Sequence, residues 1–131
     1  MTSLLPTIKD STITIETTGV APVAVVAFTG VLGHRDPGIL LDPFFNELHD
    51  VMKRQHLSSV RLDLRALRFM NSSSFKSFIA FVKRNGALPP AQRVRIHFVL
   101  NEKFHWQEVS IHALRCFSVD EIAVEKVKID G

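Results

Sequence analysis

The sequence has one cysteine, one tryptophan and no tyrosine among its 131 residues. A single cysteine, Cys116, excludes an intrachain disulfide and indicates a reducing, cytoplasmic setting. Because Cys116 lies between Leu114 and Phe117, we expect a buried structural thiol rather than a reactive one.

Long apolar runs are also missing. The longest, Val20 to Phe28, is interrupted by Pro22 and is too short to cross a membrane. The first ten residues, MTSLLPTIKD, lack the basic start and apolar core of a signal peptide. With 46% hydrophobic and 22% charged residues, the chain is expected to be one soluble domain spanning residues 1–131, without membrane association.

The net charge of +3 is not concentrated in one place. Basic residues are dispersed among acidic ones, and the pairs Lys53-Arg54 and Lys83-Arg84 fall at expected helix ends, where cations offset the negative dipole. Most of the ten phenylalanines have core spacing rather than the arrangement of stacking platforms. We therefore expect no nucleic-acid partner.

Candidate catalytic and metal-binding patterns are absent from the sequence. The lone cysteine supplies no companion ligand, and no two histidines have the i, i+4 spacing of a helical zinc site; they are His34, His49, His56, His97, His105 and His112. No G-x-S-x-G elbow surrounds Ser72, and nothing orients Asp36 and Asp63 as an acid pair. The sequence predicts no enzyme, no catalytic residue, no metal and no cofactor.

Residues 60–84 are the most informative stretch. Residues 60–65, VRLDLR, alternate apolar and charged side chains, which is typical of a strand with one buried face. After Phe69 and Met70, Asn71 and Ser72 are good helix N-caps. The apolar stripe of an amphipathic helix follows at Phe75, Phe78, Ile79 and Val82.

A cluster of hydroxyls is thereby placed at a helix N-terminus. In one interpretation these side chains only cap the helix, and the remaining hydroxyls are solvated. In the other, one serine is a phosphoacceptor, because free N–H groups and the positive dipole end accommodate an anion.

Elsewhere the pattern predicts strands at about 12–16 and 23–29, separated by Thr18-Gly19, and a first helix from Asp42-Pro43 to near Gln55. The Ser72 helix should stop at Asn85-Gly86. A strand at 94–100, a helix at about 102–115 and a short strand or extended segment at 122–127 follow. Several of these strands alternate apolar and polar residues. This pattern predicts a two-layer α/β domain, in which a mixed sheet carries helices chiefly on one face.

Several segments resemble the STAS domain, the fold of bacterial anti-sigma-factor antagonists. Leu62-Asp63-Leu64 is similar to the family's strand end, and Phe69-Met70 to the apolar pair that follows. The family's Asp-Ser-Ser-Gly-Leu corresponds to Asn71-Ser72-Ser73-Ser74-Phe75. Residues 25–32, VVAFTGVL, resemble the family's apolar strand that ends in Gly-x-Leu. Residues 114–124, which contain Val119-Asp120-Glu121-Ile122, resemble the family's C-terminal segment. The resemblance covers about residues 12–128.

The resemblance implies that Ser72 is the phosphoacceptor of a partner switch, although Asn71 stands for the family's Asp and Ser74 for its Gly. It also implies that the unphosphorylated protein binds a serine kinase of the anti-sigma type and that phosphorylation of Ser72 releases this partner. A PP2C-type phosphatase would then reset the switch. Homodimerisation stays open. The implied partner-binding residues are Gly33, His34, Arg35, Asp36, Asn71, Ser72, Ser73, Ser74, Lys76 and Ser77, with Lys76 and Ser77 exposed. The alternative is a non-switching STAS scaffold or small-ligand-binding module, such as an accessory subunit of a transport ATPase.

Overall fold

A computed structural model describes residues 2–117 and 121–129. Within these residues the chain forms six strands, three α-helices and two 3-10 turns. The strands are β1 Thr2–Lys9, β2 Ile13–Val20, β3 Val23–Leu32, β4 Ser59–Met70, β5 Arg95–Asn101 and β6 Ile122–Val127. The helices are α1 Gly38–Arg54, α2 Ser72–Ala87 and α3 His105–Leu114, and the 3-10 turns are Pro90–Gln92 and Arg115–Phe117.

The strands form one mixed sheet in the order β1-β2-β3-β4-β5-β6. The first three strands pair antiparallel, whereas β3, β4, β5 and β6 are parallel and are connected through the three helices. Along β4, Val60, Leu62 and Leu64 are buried while the intervening side chains are half-buried or exposed. The predicted two-layer α/β architecture is confirmed.

Phenylalanines join the helices to the sheet. The Phe78 ring of α2 lies 5.4 Å from Phe28 of β3 and 5.2 Å from Phe45 of α1, measured between ring centroids. Phe45 also stacks on Phe81 at 4.7 Å. All four rings are almost fully buried, so α1 and α2 are held against the sheet by aromatic contacts.

The first strands differ from the sequence prediction. β1 was not predicted, and Thr18-Gly19, expected to separate two strands, lies inside β2. The β2–β3 hairpin pairs without interruption from Ile13 with Gly30 to Val20 with Val23. The pairing with β3 therefore keeps Gly19 in the sheet, although glycine by itself favours a turn.

Helix α1 begins at Gly38, four residues before the predicted Asp42 cap. Pro43 consequently lies inside the helix rather than at its first position, where proline fits best. The added turn buries Leu41 completely, and the Pro37 carbonyl accepts the Leu40 and Leu41 N–H groups at 3.0 and 2.8 Å. The free energy gained by packing Leu41 in the core outweighs the loss of the backbone hydrogen bond that Pro43 cannot donate. The predicted end near Gln55 is confirmed.

Two of the remaining elements differ from the prediction. Strand β4 continues to Met70, beyond the alternating residues 60–65. Helix α3 begins at His105 rather than Glu102, because Asn101 accepts the Lys103 and Phe104 N–H groups and closes a turn first. Cys116 is exposed, so the expectation of a buried thiol is wrong. Val119 and Asp120 of the C-terminal resemblance lie outside the described residues.

Candidate functional site

The serine cluster lies where β4 ends and α2 begins. The Asn71 side chain is the N-cap, and its Oδ1 accepts the Ser74 backbone N–H at 2.8 Å. The Asn71 N–H in turn donates to the Leu32 carbonyl at 2.9 Å, which ties this turn to the end of β3. Ser72 is therefore the first residue of α2, as the sequence predicts.

The hydroxyls of the cluster have different environments. Ser72 and Ser73 are exposed, whereas Ser74 is completely buried and its Oγ donates to the Leu32 carbonyl at 3.3 Å. Ser77 is only 4% exposed, so the expectation that it is an exposed partner-binding residue is wrong. Lys76, by contrast, is exposed as predicted.

The burial of Ser74 and Ser77 follows from the orientation of α2. Phe78 and Val82 of the predicted stripe are buried, together with Phe81, whereas Phe75 and Ile79 lie half-buried at the edge. The buried face of α2 therefore also includes Ser74, Ser77 and Asn85. Their side chains are small or hydrogen-bonded and fit between the helix and the rest of the domain. Periodicity alone did not distinguish this face from one centred on Phe75 and Ile79.

Asn71 also connects α2 to the loop after β3. Its Nδ2 donates to the His34 carbonyl at 2.9 Å, and His34 Nε2 contacts Asp10 Oδ2 at 2.6 Å. Asp10 Oδ1 accepts the backbone N–H groups of Thr12 and Ile13 at 2.8 and 2.9 Å. The pKa of Asp10 is held well below its usual range, chiefly by the hydrogen bond from the Thr12 N–H. The contact with His34 and the bond from the Ile13 N–H contribute in the same direction.

The predicted loop and helix residues share one surface. Arg35 and Asp36 line a shallow depression of about 260 Å³ together with Ser73, Lys76 and Ser77. Gly33 does not line this depression; a Cβ there would lie 3.8 Å from the ring of Phe69, near the end of β4. The structure thus brings together the two segments that the sequence proposed as one partner-binding face.

The N-terminus of α2 is suited to an added negative charge. Its first turn contains no acidic residue, and Asn71 contributes a neutral cap. Lys76 is exposed one turn further along the helix. A phosphate on Ser72 would meet the positive end of the helix dipole without a carboxylate in that turn to repel it.

Two large apolar side chains are exposed around this turn. Phe69, two residues before Asn71, is 50% exposed, and Ile39, next to Gly38 in the depression, is 75% exposed. Exposed apolar groups beside charged ones are the composition of a protein-binding surface. The resemblance singled out Phe69 only as a member of an apolar pair, and neither Phe69 nor Ile39 was predicted to lie on this surface.

Helix α3 supports the end of β4, a role that no local sequence pattern indicates. The fully buried Gln107 Nε2 donates to the carbonyls of Leu64 and Leu67 at 2.6 and 2.9 Å, and Trp106 Nε1 donates to that of Arg68 at 3.1 Å. These carbonyls lie beyond Asp63, where the pairing of β4 with β5 ends. Hydrogen bonds from the side chains of α3 take the place of the backbone pairing between β4 and β5, and they position the segment that leads to Ser72.

Solved structures that share this fold include the following two. An anti-sigma factor antagonist from Mycobacterium paratuberculosis superposes with a TM-score of 0.59 at 15% identity, with 85% of each chain covered. A second match is to the complex of diguanylate cyclase SiaD with its activator SiaC from Pseudomonas aeruginosa. There the matched chain, SiaC, gives a TM-score of 0.65 at 13% identity, covering 93% of this chain and 99% of that one. No protein-family model and no curated protein matches the sequence.

The chain therefore has the STAS-like fold of an anti-sigma-factor antagonist, as its motifs predict. At these low identities the likeness establishes the fold alone. Among the helices within residues 2–117 and 121–129, none has the length and apolar character needed to span a membrane.

Proposed function

We propose that this protein is a cytoplasmic, non-enzymatic regulator of a partner-switching pathway, controlled by phosphorylation of Ser72. In the unmodified form it binds a serine kinase of the anti-sigma type. Phosphorylation releases that partner, and a PP2C-type phosphatase restores the binding form.

The observation that carries this proposal is the exposed Ser72 hydroxyl at the first position of a capped helix, within a mixed charged and apolar surface. Of the three consecutive serines, Ser74 is excluded as an acceptor by its burial and its bond to Leu32. Ser72 and Ser73 stay accessible to a kinase. Ser72 is preferred because it stands at the acceptor position of the family motif that the sequence resembles.

The physical effect of the modification differs between the domain and its complex. A phosphate carries nearly two negative charges at neutral pH. Within the domain, the N-terminus of α2 offsets part of that charge. In a complex shaped for a neutral hydroxyl, the same charge must lose its hydration at the interface, so the complex dissociates.

The structural neighbours support a regulatory role and leave the output open. One is an anti-sigma factor antagonist, and the other activates a diguanylate cyclase. The partner regulated by the present protein can therefore be an enzyme as well as a sigma-factor regulator.

The test is to incubate the purified protein with ATP and an extract of its native cell, re-isolate it, and map any phosphate by mass spectrometry. We expect one phosphate on Ser72, none on the Ser72→Ala variant, and normal labelling of Ser73→Ala. Ser72→Asp should keep the wild-type circular dichroism spectrum but lose affinity for the kinase that adds the phosphate. Ser72→Ala should bind that kinase and not be released by ATP.

Phosphate only on Ser73 would move the acceptor by one residue. If no phosphate is added and partner binding is indifferent to ATP, the switch is wrong and the non-switching STAS scaffold or ligand-binding module is the better explanation.

A further inference from the structure

A larger cavity lies at the opposite end of the domain from Ser72. It has a volume of about 690 Å³ and is formed where α1 and α2 end and where β4 and β5 begin. Arg84, which lines it, is twelve residues along α2 from Ser72, a separation of about 18 Å at 1.5 Å per residue. A volume of this size is in the range of pockets that enclose small organic molecules.

Cations on three segments line this cavity. Arg93 is already engaged, since its Nε donates to the Leu88 carbonyl at 2.8 Å and its Nη1 contacts Glu121 at 3.2 Å. Lys53 and Arg84 form no ion pair with a carboxylate within the described parts of the chain. The Arg84 Nε donates to His49 Nδ1 at 3.3 Å, which leaves its two terminal nitrogens available. Asp50 is an acidic residue of the same wall.

Lys53 and Arg84 lie at helix ends, where a cation interacts favourably with the helix dipole, but carbonyls at these ends already have main-chain donors. Terminal carbonyls of α1 already accept backbone N–H groups at 3.0, 2.8 and 3.3 Å, at Val51, Met52 and Lys53 respectively. The Asn85 carbonyl of α2 likewise accepts a backbone N–H at 3.2 Å. Because the main chain donates to these four carbonyls, they do not require the head of Lys53 or Arg84 as a C-cap.

The rest of the lining is suited to an apolar body. Leu57 and Val94, both largely buried, form part of the wall, and Leu88 is half-buried. The His49 ring packs on Phe81 at 4.6 Å between centroids, and burial, followed by the nearby Arg84, lowers the pKa of His49. The cavity therefore combines two unpaired cations with an apolar, partly aromatic surface.

We propose that this cavity binds a small organic anion, whose charged group lies between Lys53 and Arg84 and whose apolar body packs against Leu57 and Val94. A phosphate ester and a carboxylate share the required chemistry. Two unpaired cations match the two charges of a phosphate ester better than the single charge of a carboxylate. The site is separate from Ser72, so it stands or fails independently of the proposed switch.

Three probes with the same aromatic body test the proposal: naphthyl phosphate, naphthoate and the uncharged naphthol. Each is titrated into the full chain at millimolar concentrations, and amide shifts are followed by two-dimensional NMR. We expect naphthyl phosphate to shift amides around Lys53, Leu57 and Arg84, and to bind at least about tenfold more tightly than naphthol. Tighter binding of naphthoate than of naphthyl phosphate would support the anion site and assign it to carboxylates.

The variants Lys53→Ala and Arg84→Ala should each weaken naphthyl phosphate binding by about tenfold while the protein stays folded, since both side chains are exposed. Lys83→Ala is the matched control, because it removes the same charge from the same helix. The Lys83 Nζ lies over the Phe117 ring at 5.7 Å, and Lys83 does not line the cavity. The proposal is overturned if no probe shifts these amides, if naphthol binds as tightly as the anions, or if Lys83→Ala weakens binding as much as Arg84→Ala.

Discussion

The amide nitrogen of Asn71 donates to the carbonyl oxygen of His34 at 2.9 Å, while its Oδ1 caps α2 through Ser74. One side chain thus satisfies two backbone groups of opposite polarity. An ionised aspartate accepts hydrogen bonds but has none to donate, so it could make the cap but not the bond to His34. The asparagine that departs from the family motif therefore has a structural reason in this protein.

Substitutions of Asn71 test this double role. Asn71→Ala loses both bonds and is expected to lower the free energy of unfolding by about 2 kcal/mol. Asn71→Asp keeps the cap but sets a carboxylate against the His34 carbonyl, and we expect a loss of about 1 kcal/mol. Urea denaturation measures both values, with Ser73→Ala as a control expected within about 0.5 kcal/mol of the wild type. An Asn71→Asp protein more stable than the wild type would contradict the role of the His34 bond.

The two faces of α2 should respond differently to truncation. Phe78 is fully buried between β3 and α1, so Phe78→Ala is expected to cost about 3–5 kcal/mol. Lys76 is exposed, and Lys76→Ala should change stability by less than about 0.5 kcal/mol. Denaturation midpoints measured under the same conditions give the comparison. Equal midpoints would show that the helix faces are assigned wrongly.

Gly30 occupies a position that no other residue can adopt without strain. Its φ is +116°, and a Cβ there would lie 2.1 Å from the backbone oxygen of Thr12. We expect Gly30→Ala to cost at least about 3 kcal/mol or to prevent folding, because the β2–β3 pairing must separate to admit the methyl group.

Gly33→Ala is the matched control for Gly30→Ala. A Cβ at Gly33 would make only an ordinary contact, 3.6 Å from the Val31 side chain, so we expect a change within about 0.5 kcal/mol. Folded yield and the urea midpoint are measured for both variants. A well-folded Gly30→Ala protein with a wild-type midpoint would exclude the close approach.

The contact between Asp10 and His34 predicts an acid-dependent part of stability. Because the pKa of Asp10 is lowered in the folded state, its stabilising effect is present above about pH 4 and is lost as the pH falls further. Asp10→Asn removes the charge but keeps an acceptor for the Thr12 N–H. Asp10 is 38% exposed, so we expect only about 0.5–1 kcal/mol at pH 7.

The difference between wild type and Asp10→Asn should shrink as the pH falls from neutral to below the ordinary aspartate pKa, about 3.9. Urea midpoints across this range measure it. A constant difference at all pH values would mean that the Asp10 charge contributes nothing to the fold.

Local patterns were sufficient for the elements whose residues repeat regularly. Residues 60–65 alternate strictly and Ile122–Val127 is a short extended run, and both are strands as predicted. The start of α2 was also predictable, because Asn71 caps the helix through a bond within its own first turn. In each case the decisive interactions lie within a few residues of one another.

Other features depend on contacts between residues that are distant in the chain, and local sequence patterns do not predict them. Gly19 stays in a strand because β3 pairs with it, and α1 begins early because Leu41 enters the core. Ser77 is buried because Phe78 and Phe81 turn α2 toward the sheet, a rotation of the helix that periodicity does not determine.

The candidate sites divide in the same way. The serine cluster and the loop containing His34 were recognisable as segments, but the Asn71 bond that joins them spans 37 positions of the chain. In the sequence, Lys53 and Arg84 resemble the cations that are common at helix C-termini, since a positive charge there is favourable whatever surrounds it. Only the packing of α1 and α2 on the sheet places both cations around one cavity, because a cavity is a property of packed elements.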